Sequence, residues 1–170
     1  MQDSRWLTAP LVAFVLAAAT AQSVQARGIV GFSGKYAAGT VVVRTNERSL
    51  YYVLGGGKAI HYAVGVGRAG RQWSGTTFIN GKDLRPAWAP PPVVRRDKPN
   101  LPLVIPGGAP NNPLGAAVMF LAGHEQAIHG TNNPGSIGGA VSYGCIRMFN
   151  ADVLDLYGRV GFGTTVIVTR

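Results

Sequence analysis

The sequence predicts a mainly β domain with one or two short helices, and three observations predict it. Runs of β-branched and aromatic residues alternate with tight glycine turns in the first half of the chain. Nine of the 11 prolines crowd into the 28 residues from Pro86 to Pro113, which strips that stretch of backbone donors and bars a central strand there. The last third returns to short apolar runs with a single helical period among them.

Taken in order, residues 1–26 read as an export signal. A head with Arg5 precedes an apolar run from Leu11 to Ala19, and Val24-Gln25-Ala26 fits the small-x-small cleavage pattern. The apolar run is too short for a membrane anchor, which needs about 20 residues. Removing this segment leaves 27–170, enough for one domain with its own core. Thr40–Thr45, Leu50–Leu54 and Ala59–Val66 are strands, the last two joined by a Gly55-Gly56-Gly57-Lys58 turn. His61, inside the third strand, is a packed strand residue. The proline-rich block carries Trp88, Val93, Val94, Leu101, Leu103, Val104 and Ile105, too apolar for a linker, so it reads as a long loop packed over the domain. Ala116–Leu121 and Gln126–Ile128 are short strands. Asn150 caps a helix with Val153, Leu156, Tyr157 and Val160 on its face, Gly161 ends it, and Thr164–Val168 is the final strand.

The formal charge is +9, and Asp3 and Arg5 cancel, so the exported part keeps that excess. A basic exported protein suits an acidic envelope polymer. No basic run interleaved with aromatics suggests nucleic acid as a partner.

Cys145 is the single cysteine, so it makes no internal disulfide. It is a bystander, half of an intermolecular bridge, or a reactive thiol, and its neighbours bear on the choice. His129 stands 16 residues upstream, and the intervening segment contains five glycines that let it fold back. Gly144 precedes the thiol and Arg147 follows it. A free thiol is only a few per cent ionised at neutral pH, and a histidine within reach can take its proton while an arginine holds an acidic substrate. The set supplies a base, a nucleophile, backbone donors and a cation. A zinc site built from His124, His129, Cys145 and Glu125 lacks any recognised ligand spacing, so no metal and no cofactor is expected.

The stretches "IHGTNNP" and "VSYGCIRM", followed by a short helix, resemble the active-site motif of the L,D-transpeptidases of YkuD type, His-Gly-x, a glycine-rich spacer, then Ser-His-Gly-Cys-Ile-Arg. Upstream, "VVVRTNERSLYYVLGGGKAIHYAVGVGR" resembles that family's opening strands, and "RPAWAPP", "LPLVIPGG" and "NNPLGAAVM" resemble the loop of its periplasmic ErfK/YbiS-like members; the likeness covers about residues 40–168. One departure stands out: Tyr143 occupies the place of the family's histidine before Gly-Cys. The resemblance implies a β-sandwich or barrel-like catalytic domain spanning 27–170, with the cysteine in a cleft under a loop. It implies a periplasmic enzyme acting on peptidoglycan stem tetrapeptides. Cys145 would form a thioester at diaminopimelate, releasing D-alanine, and His129 would be the general acid and base. The Gly130 carbonyl would orient His129, and backbone N–H groups near Gly144 and Cys145 would form the oxyanion hole. Arg147, Tyr143 and Trp88 would bind substrate, with a structural salt bridge to the helix as the alternative use of Arg147. The acyl acceptor would be a second stem, an outer-membrane protein or, for a carboxypeptidase on the same scaffold, water. A catalytically silent wall-binding module is the other reading, and a monomer is expected. A papain-like amidase is disfavoured because His129 precedes Cys145 in the chain.

Overall fold

The computed structural model describes residues 27–170, and the segment read as an export signal lies outside the described residues. Ten strands and two α-helices follow one another: β1 (Gly28–Gly31), β2 (Val41–Arg44), β3 (Ser49–Gly55), β4 (Lys58–Gly67), β5 (Gly75–Leu84), α1 (Pro92–Asp97), β6 (Ala117–Leu121), β7 (Ala127–His129), β8 (Ala140–Ser142), β9 (Ile146–Met148), α2 (Asn150–Arg159) and β10 (Thr165–Thr169). Among the described residues, no helix is long and apolar enough to cross a membrane.

The sheet is organised around β4. Its first half pairs antiparallel with β1 and β3, and its second half pairs with β9 and β8. The strand order β1-β4-β3-β2-β10-β5-β6-β7-β9 therefore returns to β4 through β9, and the sheet closes into a barrel-like arrangement. A strand paired along its whole length and covered on both faces has no solvent side. This is why "AIHYAVGV" is almost continuously apolar instead of alternating, and why every residue of β4 after Lys58 is buried.

Side-chain alternation sorts the other strands. Val41 and Val43, Ile79, Met119 and Leu121, Ile128, Ile146 and Met148, and Val166 and Val168 all point into the main core. Helix α2 adds Val153, Leu156 and Val160 to it. A smaller cluster of Phe32, Val42, Val53 and Ala59 forms on the opposite face of β2–β4. The side chains that alternate with Ile128, Ile146 and Met148 therefore point out of the core, beneath the proline-rich segment.

Two sequence expectations need correction, and one strand lacked a sequence signal. The segment from Pro86 to Pro113 is not wholly loop: it contains α1 and an isolated bridge between Trp88 and Ile105. Pro92 starts α1 because the first helical position needs no N–H and wants the φ that proline fixes. Asn150 does not cap α2, which has Phe149 at its N-cap and no side-chain cap. Instead the Asn150 Oδ1 accepts from the N–H groups of Ala116 and Thr131 (3.1 and 3.0 Å), and its Nδ2 donates to the Thr131 carbonyl (3.0 Å). The helix ends at Val160 in an extended conformation, and the Gly161 N–H is held by the Thr164 hydroxyl. β5 was not expected from the sequence. Its "GTTFINGKDL" has an internal Asn-Gly and few buried residues, and only pairing with β10 and β6 makes it a strand.

Asn150 thus ties the loop after β7 to the start of β6. Asn150→Ala is expected to cost about 1–3 kcal/mol, because two N–H groups and a carbonyl lose their partner. Urea denaturation of the two proteins checks this; unchanged stability would show that water replaces the amide at no cost.

Candidate active site

Strands β7 and β9 are parallel neighbours, with Ile128 opposite Ile146 and His129 opposite Arg147. Since Ile128 and Ile146 enter the core, His129 and Arg147 share the other face. Cys145, two residues before Arg147, shares that face too. The three chemically significant residues therefore meet because two short strands run in register. All three line one cavity of about 90 Å³, walled by Trp88, Val93 and Val94 of the proline-rich segment and by Tyr143.

The loop that presents Cys145 is fixed at several atoms. The Ser142 hydroxyl accepts from the Gly144 N–H (3.0 Å) and donates to the Cys145 carbonyl (2.6 Å). The Trp73 indole N–H donates to the Gly144 carbonyl (3.0 Å), and the Trp73 ring stacks on His124 at 4.4 Å. Gly144 itself has φ +120°, and a Cβ there would press on Gln126 at 3.0 Å and on the Arg71 carbonyl at 3.1 Å. Of the two backbone groups expected to form an oxyanion hole, the Gly144 N–H is already held by Ser142. The Cys145 N–H makes no hydrogen bond among the described residues and is the available donor next to the sulfur.

His129 is buried, and its Nδ1 lies 2.6 Å from the Gly130 carbonyl oxygen. A carbonyl only accepts, so Nδ1 carries the proton and Nε2 keeps its lone pair. No hydrogen bond joins the ring to the Cys145 thiol among the described residues. Such pairs commonly tighten only with substrate present. Gly130 must be glycine for the loop to close: a Cβ would overlap the Asn150 amide oxygen and come to 3.0 Å from the Ala116 nitrogen.

Burial sets the protonation states. It holds His129 down at about 4, against the carbonyls of Gly130 and Pro113, which favour the charged ring; the nearby Arg147 charge lowers it further. Burial also pushes the Cys145 thiol up, and the Ala127 N–H and Arg147 offset this only in part. At neutral pH the pair is a neutral thiol beside a neutral imidazole, not an ion pair. Arg147 forms no salt bridge among the described residues, to α2 or elsewhere, and its Nε is buried without a hydrogen-bond partner. The Arg147 side chain lines the cavity with no ion-pair partner among the described residues, which suits its guanidinium to an anionic ligand.

Trp88 is half-buried and lines both this cavity and an adjoining one of about 320 Å³, as do Tyr143 and Arg147. The Tyr143 hydroxyl donates to Asp97 at 2.9 Å, and Arg68 lies over its ring at 4.3 Å. Sequence reasoning singled out neither Trp73, Asp97 nor Arg68. All three come from distant segments, and no local motif marks them. His61 is buried on the far side of the sheet, with Nε2 2.9 Å from the Ser49 hydroxyl, away from this chemistry.

A raised thiol and a depressed imidazole have a kinetic signature. From pH 6 to 8 the thiolate fraction of Cys145 should climb about tenfold per pH unit, and His129, titrating near 4, should add no break around 6.5. Iodoacetamide alkylation followed by intact mass checks this. A rate that levels off near neutrality would mean a preformed thiolate–imidazolium pair.

Comparison with known proteins agrees with the motif reading. The family described as L,D-transpeptidase catalytic domain (YkuD) matches residues 38–168. The probable L,D-transpeptidase ErfK/SrfK of Escherichia coli K12 is 37% identical over 135 residues, 74% of this chain and 42% of that protein. The chain thus spans less than half the length of that curated relative. An L,D-transpeptidase from Mycobacterium smegmatis shares the fold with TM-score 0.61 at 17% identity, over 77% of this chain and 58% of that one. A Brucella melitensis protein described as a probable carnitine operon oxidoreductase is 37% identical, with TM-score 0.54, over 84% of this chain and 92% of that one. With a family match across most of its length and the His129–Cys145 motifs on one face of a closed sheet, the chain belongs to the YkuD family of L,D-transpeptidase catalytic domains.

Proposed function

We propose that this domain is a cysteine-dependent L,D-transpeptidase of the bacterial envelope that acts on peptidoglycan stem tetrapeptides. One observation carries the reading: His129, Cys145 and an unpaired Arg147 share one covered cavity because β7 and β9 run in register. The substrate is anionic and the chain is basic, which favours their encounter. The substrate lies outside the cytoplasmic membrane, so the reading requires export, in keeping with the pattern of residues 1–26.

In the first half-reaction Cys145 Sγ attacks the carbonyl of the third stem residue. The thiol proton passes to His129 Nε2 as the S–C bond forms. The C–N bond to the terminal D-alanine then breaks, and His129 returns the proton to the leaving amine. The Cys145 N–H stabilises the developing oxyanion, a role worth about 3 kcal/mol where such a donor has been removed. In the second half-reaction an amine attacks the thioester and its proton returns through His129 to the sulfur. Because both partners start neutral and their burial opposes separated charges, proton transfer accompanies attack and does not precede it. Arg147 holds a substrate carboxylate with its guanidinium. The proline-rich segment over the cavity limits the access of water, which would otherwise compete with the amine for the thioester.

Purified protein incubated with disaccharide-tetrapeptide should yield a cross-linked dimer by mass spectrometry. Tripeptide without dimer would make it a carboxypeptidase, and no product would make it a silent wall-binding module. Cys145→Ala should fold and take up no carbapenem adduct; a retained mass shift would refute Cys145 as nucleophile. His129→Ala should slow acylation at pH 7 by roughly 10²-fold or more, with partial recovery at high pH. A rate near that of the wild type would make His129 structural. Arg147→Met should weaken stem-peptide binding about tenfold and change iodoacetamide alkylation much less; equal losses in both would mean that Arg147 only supports the loop.

A further inference from the structure

Tyr143, the residue that departs from the family motif, is bonded to the segment that covers the nucleophile. Its hydroxyl donates to Asp97 Oδ2 at 2.9 Å. Arg68 donates to the same oxygen at 3.0 Å, and Arg96 reaches the other carboxylate oxygen at 3.4 Å. Arg68 also lies over the Tyr143 ring at 4.3 Å, and its own backbone N–H is held by the Ser142 carbonyl at 2.9 Å. Asp97 is the last residue of α1, Arg68 follows β4, and Tyr143 directly precedes Gly144 and Cys145. Three segments far apart in sequence converge on one carboxylate.

The covering segment is held very differently at its two ends. At its root, Asn112 donates to the carbonyls of Pro86 (2.8 Å) and Pro106 (3.0 Å), and Trp88 pairs with Ile105. Asn112 is almost fully buried. At its tip, α1 buries only Val94, and the Asp97 cluster is its polar attachment to the cysteine loop. The root is clamped, and the tip rests on one apolar side chain and one exposed set of charged hydrogen bonds.

In this state the cavity over Cys145 measures about 90 Å³. Sites that take drug-sized ligands have about 300–1,000 Å³, so the space directly beside the half-buried thiol is narrow for a stem peptide, next to the adjoining cavity of about 320 Å³ that Trp88, Tyr143 and Arg147 also line. The groups that wall off the cavity, Pro91, Val93 and Val94, belong to the same tip.

We propose that Asp97 is a positioning residue that acts through Tyr143 and Arg68: it latches α1 over the cysteine loop, so that bulky ligands reach the half-buried thiol of Cys145 more readily when the latch opens. The inference rests on the site assignment made above, although it does not need the domain to transfer stem peptides. The latch also gives the tyrosine a use. A phenol at this position reaches a carboxylate with a neutral O–H donor and offers a flat ring to a guanidinium. The closed latch narrows access to the thiol. For a solitary thiol in an oxidising compartment, this limits oxidation between turnovers.

The test is alkylation of Cys145 in folded protein at fixed pH, with small iodoacetamide and with bulkier N-phenylmaleimide, read by intact mass. Wild type, Tyr143→Phe, Asp97→Asn and the double variant are compared, and thermal melting confirms that each is folded. Each single variant should raise the rate with the bulky reagent about two- to fivefold, the range expected for an exposed charged contact. The small reagent should gain less, and the double variant should gain no more than the larger single. Unchanged rates with the bulky reagent would overturn the latch, as would a gain in only one single variant or gains that multiply in the double. Equal gains with both reagents, together with a lowered melting point, would also overturn it, because they report general loosening. Carbapenem acylation of Asp97→Asn supplies the split: a latch changes the binding phase and leaves the rate at saturating drug nearly unchanged. Tyr143→Phe slowing that saturated rate while Asp97→Asn does not would give the hydroxyl a direct role at the reacting carbonyl instead. Failure of the alkylation pattern would leave the transpeptidase reading intact, and absence of stem-peptide products would leave the latch intact.

Discussion

The in-register parallel pairing of β7 with β9 is the constraint on which the site depends. Three residues on each strand are enough, because the alternation of a strand leaves no freedom once one face is assigned. Ile128, Ile146 and Met148 are driven into the core by the hydrophobic effect, so His129 and Arg147 have to point the other way. A slip of one residue in either strand would bury a charged or ionisable side chain and expose an isoleucine. The apolar residues thus enforce the catalytic geometry more firmly than any bond among the polar ones.

What surrounds the pair converts placement into precision. β4 closes the sheet and gives β9 a second neighbour, so the strand carrying the motif is held on both sides. Ser142 and Trp73 fix the two peptide groups around Gly144, and Asn150 joins the loop after His129 to β6. Each is a polar side chain serving backbone groups that no strand or helix satisfies. This is the usual solution where a reactive residue must sit on irregular chain. The polar residues nearest the chemistry are in this sense structural, and those able to react are Cys145 and His129.

Desolvation runs through the chemistry as it does through the fold. It disfavours thiolate and imidazolium alike, and it leaves the guanidinium of Arg147 with an N–H that nothing among the described residues accepts. A pair that is neutral at rest is poorly reactive toward small electrophiles. In the proposed acyl transfer it would become reactive when a substrate brings its own carbonyl and carboxylate into the cavity.

Much of this was legible in the sequence. The paired segments around His129 and Cys145 carried the family, the strands Thr40–Thr45, Leu50–Leu54 and Ala59–Val66 were marked by β-branched runs and glycine turns, and the lone cysteine excluded a disulfide framework. These are local signals, written in residue type and spacing. Other features had no local signal. β5 is polar and interrupted by Asn-Gly, and becomes a strand only between β10 and β6. Asn150 looked like a helix cap because it stands before an amphipathic stretch, yet its side chain had better partners 34 and 19 residues away in Ala116 and Thr131. The commitment of the Gly144 amide to Ser142, the support from Trp73 and the meeting of Asp97, Arg68 and Tyr143 likewise join segments far apart in the chain. Residue type and spacing alone mark the side chains able to react and the kind of sheet that carries them, because hydrophobic period and turn chemistry act over a few residues. Which face they share, which donors remain open and what lies over the thiol follow from closure of the sheet, which brings distant segments together.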